Sequence, residues 1–310
     1  MTFSLTILGS SSALPTSDRT VTAHVLNVHE RFFLIDCGEG TQMQMRKYRI
    51  RFGKIHHIFI SHMHGDHFYG LFGLISSLNL MGRKVPLNIY GPPQLKKFLD
   101  LHFSDSSVKL DYPLVFKEHD MKNKTVILED KNLIVESFPL DHKIDCVGFL
   151  FREREKDRRM KKEKISELNL GIASIVALKK GEDYIDENGK VYENDKLTNP
   201  PPLPRTYAFC SDTRYYEKII PWIKRVDLLY HEATYLEDMK SRALKTGHST
   251  AKEAAIIATK ANARQLVIGH YSSRYKNLDP FLEEAQSVFP NTILAIEGLT
   301  VDVKRRNELD

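Results

Sequence analysis

Apolar and polar residues fall into short, recurring blocks along most of this chain. β-rich runs stand at "SLTIL" (4–8), "RFFLID" (31–36), "HHIFIS" (56–61), "LNIYG" (87–91), "IVESF" (134–138), "TYAFCSD" (206–212), "DLLYHE" (227–232) and "RQLVIGH" (264–270). Runs of this length, rich in β-branched and aromatic residues, predict strands. Between some of them the period changes: from Phe68 on, apolar residues at 68, 71, 72, 75 and 78 share one helix face. Another stripe, at 254, 257, 258 and 261, follows Thr250 and Glu253, a capping-box pair that predicts a helix start. Many strands with interspersed helices predict an α/β fold layered around sheets.

Residues 152–204 break this rhythm. They open on "REREKDRRMKKEK" (152–164), which holds eight basic and four acidic side chains, a net of +4. They carry turn signals such as "ENGK" and close on "NPPPLP", where clustered prolines exclude a helix or a central strand. The segment reads as an arm inserted between two core strands. The plainer reading is a solvated helix and loop, as charge runs usually are. The other residues of the 310 suit one large domain, so a single domain over 1–310 is expected, with the insertion at about 152–204.

Composition narrows the class without naming it. Hydrophobic residues make up 42% and charged residues 27%, the balance of a globular protein, and the net charge is only +5. Most of that excess comes from the one basic segment. No apolar run reaches membrane-spanning length. The opening "MTFSLTILGSSSALP" has no basic stretch ahead of its apolar run, so it reads as a first strand, and a cytoplasmic location is expected. The three cysteines, Cys37, Cys146 and Cys210, form no CxxC pair and are expected to be reduced thiols.

The candidate chemistry gathers in "FISHMHGDHFYG" (59–70). His62, His64, Asp66 and His67 lie on one short turn after an apolar run. Imidazole and carboxylate donors suit Zn²⁺, Mn²⁺ or Fe²⁺, and without cysteine they do not describe a structural zinc finger. Gly65 permits a sharp bend, so four ligand-type side chains can face two adjacent metal positions. Four ligands cannot complete two shells. His142 in "PLDHKIDCVGF", Asp212 in "FCSDTRYY" and His270 in "VIGHYSSRY" each follow a β run, where sites of layered α/β folds collect. Singly, each could be a turn or capping residue; as a set they read as the missing ligands. His24 and His231 lie on β runs and read as packed core residues.

The HxHxDH loop with later His, Asp and His at strand ends resembles the metallo-β-lactamase superfamily. The motifs "PTSDRT", "DCGEGTQMQMR", "YGPP", "HEATY", "GHST" and "HYSSRY" narrow the likeness to the ribonuclease Z family, over nearly the whole chain. The resemblance implies a four-layer αββα sandwich with a projecting arm and two Zn²⁺ per subunit. It implies His62, His64 and His142 on one ion, Asp66, His67 and His270 on the other, and Asp212 between them. It also implies a homodimer that cuts the 3′ trailer from precursor tRNA, leaving a 3′-hydroxyl.

Within that likeness Asp66 would orient the nucleophile, and His248, held by Glu232, would protonate the leaving oxygen. Arg158, Arg159, Lys161 and Lys162 of the arm would contact tRNA phosphates, with Arg274 and Ser272 as further RNA contacts. Taken without the likeness, Glu232 reads as a surface ion-pair partner and His248 as a residue ahead of a helix. Two departures stand out: "LGIASIVALKKG" (170–181) replaces the Gly/Pro-rich arm tip, and "PTSDRT" replaces the PxKxRN pattern. Two other functions share parts of these features: a hydrolase of small phosphodiesters or esters, and a non-catalytic RNA-binding protein.

Overall fold

The computed structural model describes residues 1–105 and 109–306. They divide into two compact units, Met1–Arg152 with Arg205–Lys304, and Glu153–Pro204 with the residues from Arg305 on.

The first unit is built on two seven-stranded sheets. One orders its strands Thr300–Asp302, Phe3–Gly9, Ala23–Val28, Arg31–Ile35, Ile55–Phe59, Leu87–Gly91 and Leu114–Glu118. The other runs Thr292–Leu294, Gln265–Gly269, Leu228–Glu232, Thr206–Cys210, Cys146–Glu153, Leu133–Leu140 and Thr125–Glu129. Side chains from both sheets, among them Phe3, Phe33, Phe59, Phe149, Phe151 and Phe209, form one buried cluster between them. The outer faces carry helices. Gly70–Leu80 and Pro93–Asp105 cover the first sheet, and Ala251–Lys260 and Asp279–Gln286 cover the second. These are the four layers αββα. Each large apolar side chain fully buried in them contributes about 1.5–3 kcal/mol.

All eight predicted strands form, with ends within two residues of those expected. Thr250 caps Ala251–Lys260 with both hydrogen bonds of a capping box. The periodicity missed Ala23–Val28, Leu114–Glu118, Thr125–Glu129, Cys146–Glu153, Thr292–Leu294 and Thr300–Asp302. His24 and His231 are fully buried, and so are all three cysteines, none of which is in a disulfide. Among the described residues no helix is long and apolar enough to cross a membrane.

The second unit leaves the first between neighbouring strands, since Thr206 pairs with Arg152 in an antiparallel ladder. It has its own small core of Leu170, Leu178 and Leu197. "LGIASIVALKKG" contains the helix Ile172–Lys179, whose Ile172 is 83% exposed.

Candidate functional site

Strands Arg31–Ile35 and Ile55–Phe59 run parallel in the first sheet, and Thr206–Cys210, Leu228–Glu232 and Gln265–Gly269 run parallel in the second. Asp36, His62, Asp212, Glu232 and His270 all sit at or just beyond their carboxyl ends. Asp36, Asp212 and His270 adopt left-handed backbone (φ 55°, 62° and 63°). Such a conformation is unfavourable for residues with a Cβ and ends the strand's alternation. All three are buried, with His62 and His67.

Donor atoms of His62, His64, His142 and Asp212 lie within 4.8 Å of one another, and those of Asp66, His67 and His270 do likewise. Asp212 faces both groups with separate oxygens. Its Oδ2 is 3.5 Å from His62 Nε2 and 3.6 Å from His142 Nε2, while Oδ1 is 3.1 Å from His67 Nε2 and 3.2 Å from His270 Nε2. Asp66 Oδ2 stands 3.5 Å from both His67 Nε2 and His270 Nε2.

The outer ring nitrogens fix which inner nitrogens carry lone pairs. His142 Nδ1–H donates to the Gly247 carbonyl (2.6 Å) and His67 Nδ1–H to Asp36 Oδ2 (2.7 Å). Ser61 donates its hydroxyl to Asp36 (2.9 Å), so His62 Nδ1–H donates to Ser61 Oγ (2.9 Å). Thr234 donates to Glu232 Oε2 (2.7 Å), so His270 Nδ1–H donates to Thr234 Oγ1 (3.0 Å). With each ring neutral, as a metal ligand must be, every inner nitrogen is an acceptor aimed at other acceptors. His62 Nε2 and His142 Nε2 approach His64 Nδ1 to 3.0 and 3.1 Å, and His67 Nε2 approaches His270 Nε2 to 3.3 Å. Lone pairs converge at such distances around a cation; tetrahedral bonds of about 2.0–2.1 Å put ligand atoms about 3.3 Å apart. Burial opposes charge on His67, yet the Asp212, Asp66 and Asp36 carboxylates hold its pKa well above the usual histidine range. The centre favours positive charge. The donor set therefore fits divalent cations in two adjacent positions.

Beside it, His248 Nδ1 bonds Glu232 Oε1 at 2.7 Å. Burial works against the imidazolium, but the Glu232 carboxylate, with Asp212 behind it, raises the His248 pKa above the usual histidine range. Glu232 is fully buried and also accepts from the Thr213 and Ser249 amides and from both groups of Thr234. Donor atoms of His248 also come within 4.8 Å of those of Asp212 and His270. Gly247, in left-handed backbone (φ 86°), passes so close that a Cβ there would meet His142 Nδ1 at 2.9 Å.

The residues singled out in the sequence thus divide. The seven histidines and aspartates, with His248 and Glu232, come together in one place. Ser272 is buried, and exposed Arg274 donates to its hydroxyl (3.1 Å) while its guanidinium covers the Tyr235 ring. The four basic residues belong to the second unit. Arg158 is held by Thr198 and Asp195, and Lys161 donates to the carbonyls of Asp195 and Lys196. Arg159 and Lys162 are exposed and line a shallow cleft with Lys156 and Lys179. Asp36, Ser61 and Thr234 had no assigned role. Only the polar residue ending "RFFLID" gave a signal, and a strand-end aspartate more often makes a turn.

A family model described as "Anti-Pycsar protein Apyc1" matches residues 3–155. Ribonuclease Z of Bacteroides fragilis is 44% identical over 97% of this chain and 99% of its own length. Ribonuclease Z of Cytophaga hutchinsonii is 46% identical over 99% and 98%. Among solved structures, the short form of human tRNase Z superposes with a TM-score of 0.69 at 26% identity, covering 97% of this chain and 99% of that one. The metallo-β-lactamase fold protein YhfI of Bacillus subtilis gives 0.70 at 18%, covering 97% of this chain and 100% of that one, a likeness of fold alone.

Proposed function

This chain belongs to the ribonuclease Z family of tRNA 3′-processing endoribonucleases, and from that membership we propose a two-zinc phosphodiesterase that removes the 3′ trailer of precursor tRNA. The observation that carries the reading is the convergence of six donor side chains around a seventh, the Asp212 carboxylate, which faces two groups at once. His62, His64 and His142 would hold one ion and Asp66, His67 and His270 the other, with Asp212 shared. When bound, two such ions supply a water that ionises near neutral pH and positive charge for the phosphoryl oxygens.

The remaining work falls to side chains. Asp66 accepts the Ala13 amide through Oδ2 (2.7 Å), which fixes its carboxylate to orient the attacking water. His248 lines the cavity with Asp66 and His270. Its Nδ1 is occupied by Glu232, so Nε2–H is the proton that reaches the departing ribose O3′. That leaving group is poor unless protonated, so the tRNA would keep a 3′-hydroxyl and the trailer a 5′-phosphate. Arg159 and Lys162 would meet RNA phosphates, with Arg158 and Lys161 setting the local backbone and Arg274 and Ser272 as further contacts. The family likeness also supports a cytoplasmic homodimer, which sedimentation tests.

The central test is a precursor tRNA with a 3′ trailer. Purified protein should cut it after the discriminator, chelation should abolish cutting, and metal analysis should return two zinc ions per chain. Cutting that persists in chelator with no metal bound would end the proposal.

A further inference from the structure

Two large apolar side chains that the fold leaves in solvent stand at one place. Tyr69 is 65% exposed and Leu14 62%, and both line the cavity of about 460 Å³ that also holds Asp66, Asp212, His248 and His270. Neither is loosely placed. A Cβ built on Gly65 would meet the Tyr69 ring at 2.1 Å, so the ring lies directly against the loop that carries His64 and Asp66. It also stands against the buried Phe68 ring, with centroids 4.8 Å apart. Leu14 follows Ala13, which adopts left-handed backbone (φ 56°) and whose amide donates to Asp66. The Ser11 hydroxyl donates to the Leu14 carbonyl at 2.9 Å. The Tyr69 ring and the backbone that carries Leu14 are thus tied to the metal loop, while both side chains keep apolar surface open.

Nothing in the candidate metal chemistry needs a fixed apolar pair there. The flat, apolar part of an RNA substrate beside the reacting phosphate is a nucleobase. We infer that Tyr69 and Leu14 form a nucleobase seat, in which a base flanking the scissile phosphate stacks on the Tyr69 ring and packs against Leu14. This inference rests on the ribonuclease reading above. Every base has a π-face, so such a seat registers the phosphate over the metal centre with little regard to sequence.

The test measures kcat/KM on trailer-bearing tRNA for the wild type and for Tyr69→Ala, Tyr69→Leu, Tyr69→Phe and Leu14→Ala. Tyr69→Ala and Tyr69→Leu should each lower it roughly 10- to 100-fold. Leucine still packs on Gly65, so its loss should come with unchanged metal content and melting temperature. Tyr69→Phe keeps the ring and should recover most of the loss, and Leu14→Ala should show a smaller one. Two further substrates are abasic, one on the tRNA side of the cut and one on the trailer side. On whichever lacks the seated base, Tyr69→Leu and wild type should cut equally, and this identifies the side. A Tyr69→Leu enzyme as fast as wild type on intact substrate, or one equally impaired on both abasic substrates, overturns the seat. A wild type that cuts no precursor tRNA overturns the ribonuclease reading instead.

Discussion

Asp36 binds two residues of the candidate centre without being one of its donors. One oxygen takes the His67 Nδ1–H and the Ser61 hydroxyl, and the other takes the Ser61 amide. Through Ser61 it also fixes the His62 tautomer. A partner of this kind sets ring orientation and basicity, so Asp36→Ala should weaken metal binding roughly 10- to 100-fold. Competition against a chelator of known affinity measures this, and unchanged affinity would make Asp36 a turn residue only. His248 differs in kind, because its Nδ1 engages Glu232 and it stands beside the converging nitrogens. His248→Ala should slow cleavage roughly 10²- to 10⁴-fold and keep the metal, as expected of a general acid. Loss of metal with activity would make it a ligand.

At the scale of elements, the centre depends on strands that all stop at one edge. Parallel neighbours bring Asp36 beside Ser61 and His62 in one sheet, and Asp212, Glu232 and His270 together in the other. The helix Ala251–Lys260 adds to this, because its cap residue Thr250 lies two positions after His248. The Thr250 hydroxyl accepts from the Glu253 amide (3.2 Å), and the Glu253 carboxylate returns a bond to the Thr250 amide (3.1 Å). Thr250→Ala should therefore cost about 1 kcal/mol. A urea denaturation midpoint checks the value; an unshifted midpoint would mean that packing of Ala254, Ile257 and Ala258 holds the helix start unaided.

For the molecule as a whole, the two units have separate cores, and the chain leaves and re-enters the first unit at paired positions, Arg152 and Thr206. Removing 153–204 and closing the gap with a short turn should leave the first unit folded. Such a variant should still hydrolyse a small chromogenic phosphodiester while losing cleavage of precursor tRNA, as salt-sensitive phosphate contacts on the second unit would require. Loss of both activities, with an unfolded spectrum, would make the segment part of the core.

Local pattern alone determined eight strands, the capped helix, and the loop of His62, His64, Asp66 and His67, since strand, cap and bend chemistry act over a few residues. It did not reveal Cys146–Glu153, whose apolar run is broken by Gly148 and passes directly into the charged segment. Nor did it reveal the edge strands Leu114–Glu118 and Thr125–Glu129, whose positions are mostly half-buried or exposed. Tertiary structure alone decided that His142, Asp212 and His270 meet the loop, that Asp36 and Thr234 choose the ring tautomers, and that Arg158 and Lys161 are tied within their own unit. Those outcomes depend on which strand ends share an edge and on where the backbone turns left-handed. Such facts belong to pairs of distant segments, and no single stretch of residues contains them.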